Sequence, residues 1–480
     1  MTFLKAINDE LYNKVLTENG DTAYASTGSH CLNYFAAIGG LRNNAKESFD
    51  LFLKAYREDP HMALKILFYS RDILEGLGER HTFRLTLNII ANFYPNVAEQ
   101  LIPYIVKYGR YDDLLSYLMT ASQSSAIEAI KKQLESDIEH KKHGEAISLL
   151  PKWLPSINAS NSDARLRARV ICQGLGMNYK EYRKMLSFLR KDTIIENNLR
   201  EKAYNFDYNH VPSQALLKYQ NAFITHDNER YMAFIHNDKT VIKTTTLAPY
   251  QLVREVFKGE GNEDVLNKTW ESFDRSSFDS KTMVVLDGSG SMYSGEPSSE
   301  AVAMSLALFF AEQLKGEFHN TFMTFGAKPR LVQLKEDTFV HHVRTCMNYN
   351  DCSNTNLEAV YNLIYDVVRK KMVAPEEMIE RLVIISDMEF DMGVMGVSTL
   401  ETFKEKYEAL GYKLPEIVFW NVAARRVHFP TSQNEEYIKL VSGFSQHVMD
   451  DIMSNQTSTP YEFMIECLKR YSDLDNVVIK

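Results

Sequence analysis

Three short oxygen-bearing segments of the 480-residue chain have the composition of a site for a hard cation. Asp287, Ser289 and Ser291 alternate in the run DGSGS, which puts their side chains on the same side of a loop. The intervening glycines allow the tight backbone path that draws the three oxygens together. Asp387 ends the apolar run RLVIISD, and Thr355 stands in CSNTN, just ahead of a helical stretch. Two carboxylates and three hydroxyls, without His or Cys, suit Mg²⁺, Mn²⁺ or Ca²⁺ and disfavour Zn²⁺. A lone DxSxS is often just a polar turn; all five residues in order, each after a strand or before a helix, make a far more specific pattern. Glu389 and Asp391 in SDMEFD lie close by and would add negative charge, although solvation of a surface loop accounts for them as well.

Such segments need a scaffold that brings them to one edge. From residue 281 onward, short β-rich runs (TMVVLD, NTFMTFG, RLVQL, RLVIISD, EIVFWNVA and KLVSGF) alternate with helical segments. Near-continuous apolar strands between helices imply a mostly parallel sheet covered on both faces, the doubly wound α/β class, which binds ligands beyond the carboxyl ends of its strands. The helix over 301–314 is apolar nearly all round and should be central.

Residues 1–258 read differently. Apolar residues recur at helical spacing in AKESFDLFLKAY, HMALKILFYSRDILEGL, RHTFRLTLNIIANFY and EYRKMLSFLR, punctuated at Asp59-Pro60, Pro95 and the Asn161-Ser162-Asp163 cap. Short amphipathic helices in series predict an irregular all-helical array of stacked pairs, HEAT-like rather than a bundle. A short hairpin about Asn237-Asp238, within residues 231–246, is expected as the exception. Residues 259–280 are polar and acidic and read as a connecting segment before a 281–480 α/β domain.

The DGSGS loop, the lone Thr355 and the later Asp387 resemble the metal-ion-dependent adhesion site of von Willebrand A domains. That resemblance implies that Ser289, Ser291 and Thr355 bind Mg²⁺ directly or through water, that Asp287 and Asp387 act partly through waters, and that an open position accepts a ligand carboxylate. The two-part layout, with SRDILEGLGER, LLPKWLPS, YRKMLSFLRK, HDNERY and TTTLAPYQLV ahead of VVLDGSGSM and IISDMEFD, is similar to the Ro autoantigen family. Its TROVE module is a ring of helical repeats that binds RNA, so the resemblance implies a noncatalytic ribonucleoprotein scaffold. The alternative is a protein-interaction module that captures an acidic side chain of a partner through the metal.

Charge bears on both. The net charge of −9 argues against RNA binding by the whole surface, but residues 152–202 hold 11 Lys and Arg against 5 Asp and Glu. Lys152, Arg165, Arg169, Arg183, Lys184, Arg190 and Lys191 are the candidate phosphate contacts, and Trp153, Tyr179 and Tyr182 the candidate stacking residues. A solvated basic face and helix packing are the plain alternatives, since the arginines of ARLRARV cannot share one helix face. Cys31, Cys172, Cys346, Cys352 and Cys467 lack paired or zinc spacing, which points to reduced thiols. With neither a signal peptide nor a long apolar run, a cytoplasmic protein without membrane contact is expected. No phosphate-cradling glycine motif appears and no His, Lys or extra acid is tied to the metal site by motif, so no enzyme is expected; Gly39-Gly40 and Gly174 to Gly176 read as helix ends, and His341-His342 as helix surface.

Overall fold

The computed structural model describes residues 12–191, 195–293, 295–325, 328–335, 337–349, 356–390, 397–454 and 459–479, with Leu4 and Ile7; the side chains of 325 and 397–401 are outside it. The expectations for Thr355, Cys352 and Asp391 therefore fall outside the described residues.

The chain is mostly helical in its N-terminal part and carries a mixed, largely parallel sheet in its C-terminal part. Two short strands, β1 (Lys14–Leu16) and β2 (Thr22–Tyr24), first form a small antiparallel hairpin. The six-stranded sheet comprises β3 (Thr282–Asp287), β4 (Thr321–Phe325), β5 (Leu331–Gln333), β6 (Arg381–Ser386), β7 (Glu416–Asn421) and β8 (Ile438–Ser442), in the order β5-β4-β3-β6-β7-β8. Only β5 runs antiparallel to its neighbour. All six residues of β3 are buried, which explains why the run lacks the alternation of a one-sided strand. The helix Ser299–Ala311 packs across β3, β4 and β6, and every residue in it except Glu300 is buried. Ser298 caps it by accepting the Ala301 N–H. The chain leaves β3 for β4 on one side and returns as β6 on the other, so the strand order reverses between β3 and β6, the position at which sheets of this kind bind ligands.

The helices ahead of the sheet start where their capping residues stand. Asp59 accepts the Met62 N–H with Pro60 in the first turn of Pro60–Arg71, Asn161 caps Ser162–Gly174, and Asn178 with Glu181 forms a reciprocal box at Tyr179–Arg190. Residues 231–246 do not form the expected hairpin. The helix Gln220–Ile235 runs through Tyr231, which is buried with Ile235 against Tyr208 and Phe223 in a small second core. Asn237 closes a turn by accepting the Lys239 N–H, and that turn was the signal mistaken for a hairpin. The polar 259–280 segment likewise contains a helix, Glu263–Glu271, which buries Val265, Leu266, Thr269 and Trp270. Trp270 stacks on Phe339 of the C-terminal unit with ring centres 4.1 Å apart.

Both ends of the helical stretch meet the sheet unit. His30–Ile38 packs on β8, and Tyr250–Lys258 packs on Ser299–Ala311. The chain's last turn returns the contact: Tyr471 lies against Tyr69 and Tyr108 and donates to Asp72 Oδ2 at 3.0 Å. One continuous apolar core therefore spans the two parts. Cys31, Cys172, Cys346 and Cys467 are buried and unpaired. No helix among the described residues is long and apolar enough to cross a membrane.

Candidate metal centre

β3 and β6 lie side by side in parallel register, with Leu286 opposite Ile385, so Asp287 and Asp387 emerge at the same edge of the sheet. Ser386, one residue before Asp387, donates its hydroxyl to Asp287 Oδ2, tying the two strand ends together. The DGSGS loop then folds back: the Ser289 N–H donates to Asp287 Oδ1 at 2.8 Å, and the Ser289 and Ser291 hydroxyls are 2.9 Å apart. Asp287, Ser289 and Asp387 are buried, and Ser291 is half-buried. The structure thus gathers four of the five residues that the sequence singled out. Gly290 has open space where a Cβ would stand, so its lack of a side chain is not what packs this loop.

The electrostatics are those of a site short of positive charge. Burial, and then the facing charge of Asp387, push the Asp287 carboxyl up to about 7. Burial also raises Asp387, although Ser291, the Glu389 N–H and Arg425 favour its charged form. Asp387 Oδ2 is buried and makes no hydrogen bond among the described residues; Arg425 Nη2 stands 3.8 Å away. An orphaned carboxylate oxygen beside a second buried carboxyl and two hydroxyls is a donor set that fits a hard divalent ion. No group of three or more His, Cys, Asp or Glu side chains that could hold a metal ion comes together among the described residues.

Glu389 is not solvated on a surface loop. It is buried, its Oε1 lies 3.1 Å from His428 Nε2, and its Oε2 accepts the Glu18 N–H at 2.7 Å. Burial opposes its ionisation, but the bonds from His428 and Glu18 outweigh that and hold the carboxyl below its usual range. Thr17 donates to the Phe390 carbonyl at 2.7 Å, and Asn19 to that of Glu389 at 2.6 Å, so the β1–β2 turn sits on the loop that follows Asp387. Sequence reasoning missed Glu18, Arg425 and His428. Nothing local in MTFLKAINDELYNKVLTENG ties it to a loop some 370 residues later.

The basic candidates divide. Arg190 donates to the carbonyls of Pro151 and Leu154 and to Ser156, and Arg165 to the carbonyls of Ala159 and Ser160, so both are engaged inside the protein. Lys152 is half-buried beside Trp153, whose ring carries the Arg110 guanidinium at 3.9 Å. Arg169, Arg183, Lys184 and Lys191 are exposed. Tyr179 is half exposed, whereas Tyr182 is buried and donates to the Pro155 carbonyl at 2.9 Å. His342, expected on a helix surface, is buried against Glu312 and the Lys335 carbonyl, while His341 is exposed beside Asp337.

Residues 281–472 match the family model described as Domain of unknown function (DUF7788), and residues 17–135 and 175–288 match Domain of unknown function (DUF2828). The second match begins in the β1–β2 turn and ends just past Asp287, so the two overlap on β3. The chain is also similar to "Uncharacterized protein L728" of Acanthamoeba polyphaga mimivirus, 28% identical over 510 residues, which cover 96% of this chain and 88% of that protein. That alignment takes in the helical part and the sheet unit alike.

Proposed function

We propose that the chain is a noncatalytic binding protein that works through one divalent cation, Mg²⁺ or else Mn²⁺ or Ca²⁺, held in a von Willebrand A-type unit by Asp287, Ser289, Ser291, Thr355 and Asp387. The observation that carries this is the buried, unbonded Oδ2 of Asp387 beside the raised carboxyl of Asp287. Strand order supports it, because the crevice lies where that order reverses. The metal supplies a fixed positive charge with exchangeable positions, and an acidic side chain of a protein partner is the ligand such a charge selects. Calorimetry with Mg²⁺ tests the proposal: one site on the wild-type chain, absent from Asp287→Ala and Asp387→Ala, is expected. Mg²⁺-dependent nuclease or nucleotidase activity that disappears in Asp387→Ala would overturn the noncatalytic assignment.

A Ro-type RNA scaffold is the second reading, favoured by one observation. Both ends of the helical stretch pack on the sheet unit, the arrangement that a TROVE-like ring closed by that unit requires. In this reading the exposed Arg169, Arg183 and Lys184 contact phosphate. An RNA gel shift that survives Asp287→Ala and loses about 0.7 of log–log salt slope for each of these cations removed would support it.

A further inference from the structure

Arg425 links three oxygen groups at the mouth of the crevice. Its Nη2 donates to the Ser291 carbonyl at 2.5 Å and stands 3.8 Å from Asp387 Oδ2, while its Nη1 donates to Glu18 Oε2 at 3.0 Å. Arg426 Nε lies 3.8 Å from the other oxygen of Glu18. Glu18 belongs to the β1–β2 turn, so a carboxylate from the start of the chain is held one guanidinium away from the candidate metal loop.

Two features make this more than a surface ion pair. The hairpin is fastened to the crevice without the Glu18 side chain: Thr17, Asn19 and the Glu18 N–H all bond to Glu389 or Phe390. The side chain is therefore not needed as an anchor. The side chains of Glu18 and Arg425 are each 33% exposed, and an ion pair so open to water binds weakly and exchanges readily. The inner face of the same guanidinium, in contrast, is fixed by Ser291 and Asp387, so its outer face keeps a set direction.

We infer that Arg425 is an anion-accepting residue at the rim of the metal crevice, that Glu18 occupies it in the free protein as an internal ligand, and that an acidic segment of a protein partner binds by taking Glu18's place. This rests on the divalent-metal reading above. A protein carboxylate suits the position better than RNA phosphates do. Residues 261–480 carry 33 Asp and Glu against 21 Lys and Arg, a field that repels a polyanion yet leaves Arg425 and Arg426 to receive a single acidic side chain.

The test uses the full chain and a fluorescein-labelled glycine-serine peptide carrying one aspartate, with anisotropy read in saturating Mg²⁺ and in chelator. Glu18→Gln removes the internal competitor and should bind the probe about two- to five-fold more tightly than the wild type, because a site partly filled by its own weakly held ligand loses apparent affinity in proportion. Arg425→Gln should lose Mg²⁺-dependent probe binding while calorimetry still detects the metal. If Arg425→Gln does not fold, Arg425→Lys should show the same loss in weaker form, since a lysine cannot bridge Ser291 and the probe. Equal probe affinity in wild type and Glu18→Gln with metal binding intact overturns this inference alone. Failure of the wild type to bind Mg²⁺ overturns it together with the metal site. A labelled oligouridylate that binds with the same dependence on Glu18 and Arg425 overturns the assignment to an acidic protein segment.

Discussion

Asp287 ends β3 and Asp387 directly follows the neighbouring parallel β6, and the Ser386 hydroxyl, donated to Asp287, locks the two strand ends together. Two acids in a shared buried crevice cost stability until a cation joins them. Mg²⁺ should therefore stabilise the fold, by about 2.7 kcal/mol at a hundred times its dissociation constant. Thermal melts with and without the ion check this. Asp287→Asn should melt higher than the wild type in chelator at pH 8, and should lose the Mg²⁺ response. A lower melting temperature for that variant would show that the carboxylate stabilises the metal-free fold instead.

The same pair sets a pH dependence. Asp287 keeps its proton up to about 7 in the folded, metal-free chain, whereas an unfolded aspartate releases it near 4. Between those values the folded state binds more protons, so stability falls as pH rises through that window and levels off above it. Urea denaturation in chelator from pH 4.5 to 8 should show the decline, and Asp287→Asn should flatten it. An unchanged slope in the variant would assign the decline to other groups.

The metal loops were legible in sequence because their chemistry is local: a strand, then DGSGS, and a second strand followed at once by Asp387, need only a parallel sheet to converge. What surrounds them was not. Glu18 and Arg425 meet across 407 residues, a pairing no spacing rule encodes. The helix Glu263–Glu271 was hidden by the acidic residues around it, because four buried positions over nine residues barely raise the apolar content of the window. Arg165 and Arg190 looked available for phosphate because composition counts charges without showing the carbonyls that engage them.

Gly39 shows how tightly the helical part is fitted to the sheet. Its N–H donates to Ser442 Oγ at 3.0 Å, and a Cβ built on it would stand 2.5 Å from the backbone nitrogen of Gly443. Neither side is a flexible side chain, so Gly39→Ala must push the His30–Ile38 helix off β8. We expect a loss of about 1–3 kcal/mol, the usual range for overpacking. Gly290→Ala, where the added methyl meets nothing within 4 Å, is the control and should be close to neutral. Chemical denaturation of both variants checks the contrast, and equal stability would mean that the helix–sheet contact yields without cost.

Asp113 is a buried charge at the centre of an ion-pair cluster in the helical part. It is fully buried, accepts Arg71 Nε at 2.7 Å and Arg84 Nε at 2.5 Å, and also takes the Arg110 N–H at 2.9 Å. Arg71 is itself buried, with its Nη2 unbonded among the described residues, so the ion pair is what allows that guanidinium to sit there. Asp113→Ala would leave an unpaired buried cation and should cost about 3–5 kcal/mol, whereas the double change Asp113→Ala with Arg71→Met should recover much of it, because an apolar pair can replace a buried ion pair at little cost. A double-mutant cycle by urea denaturation measures the coupling. Simple additivity of the two single changes would show that Arg84 and Arg110, rather than Arg71, carry the dependence on Asp113.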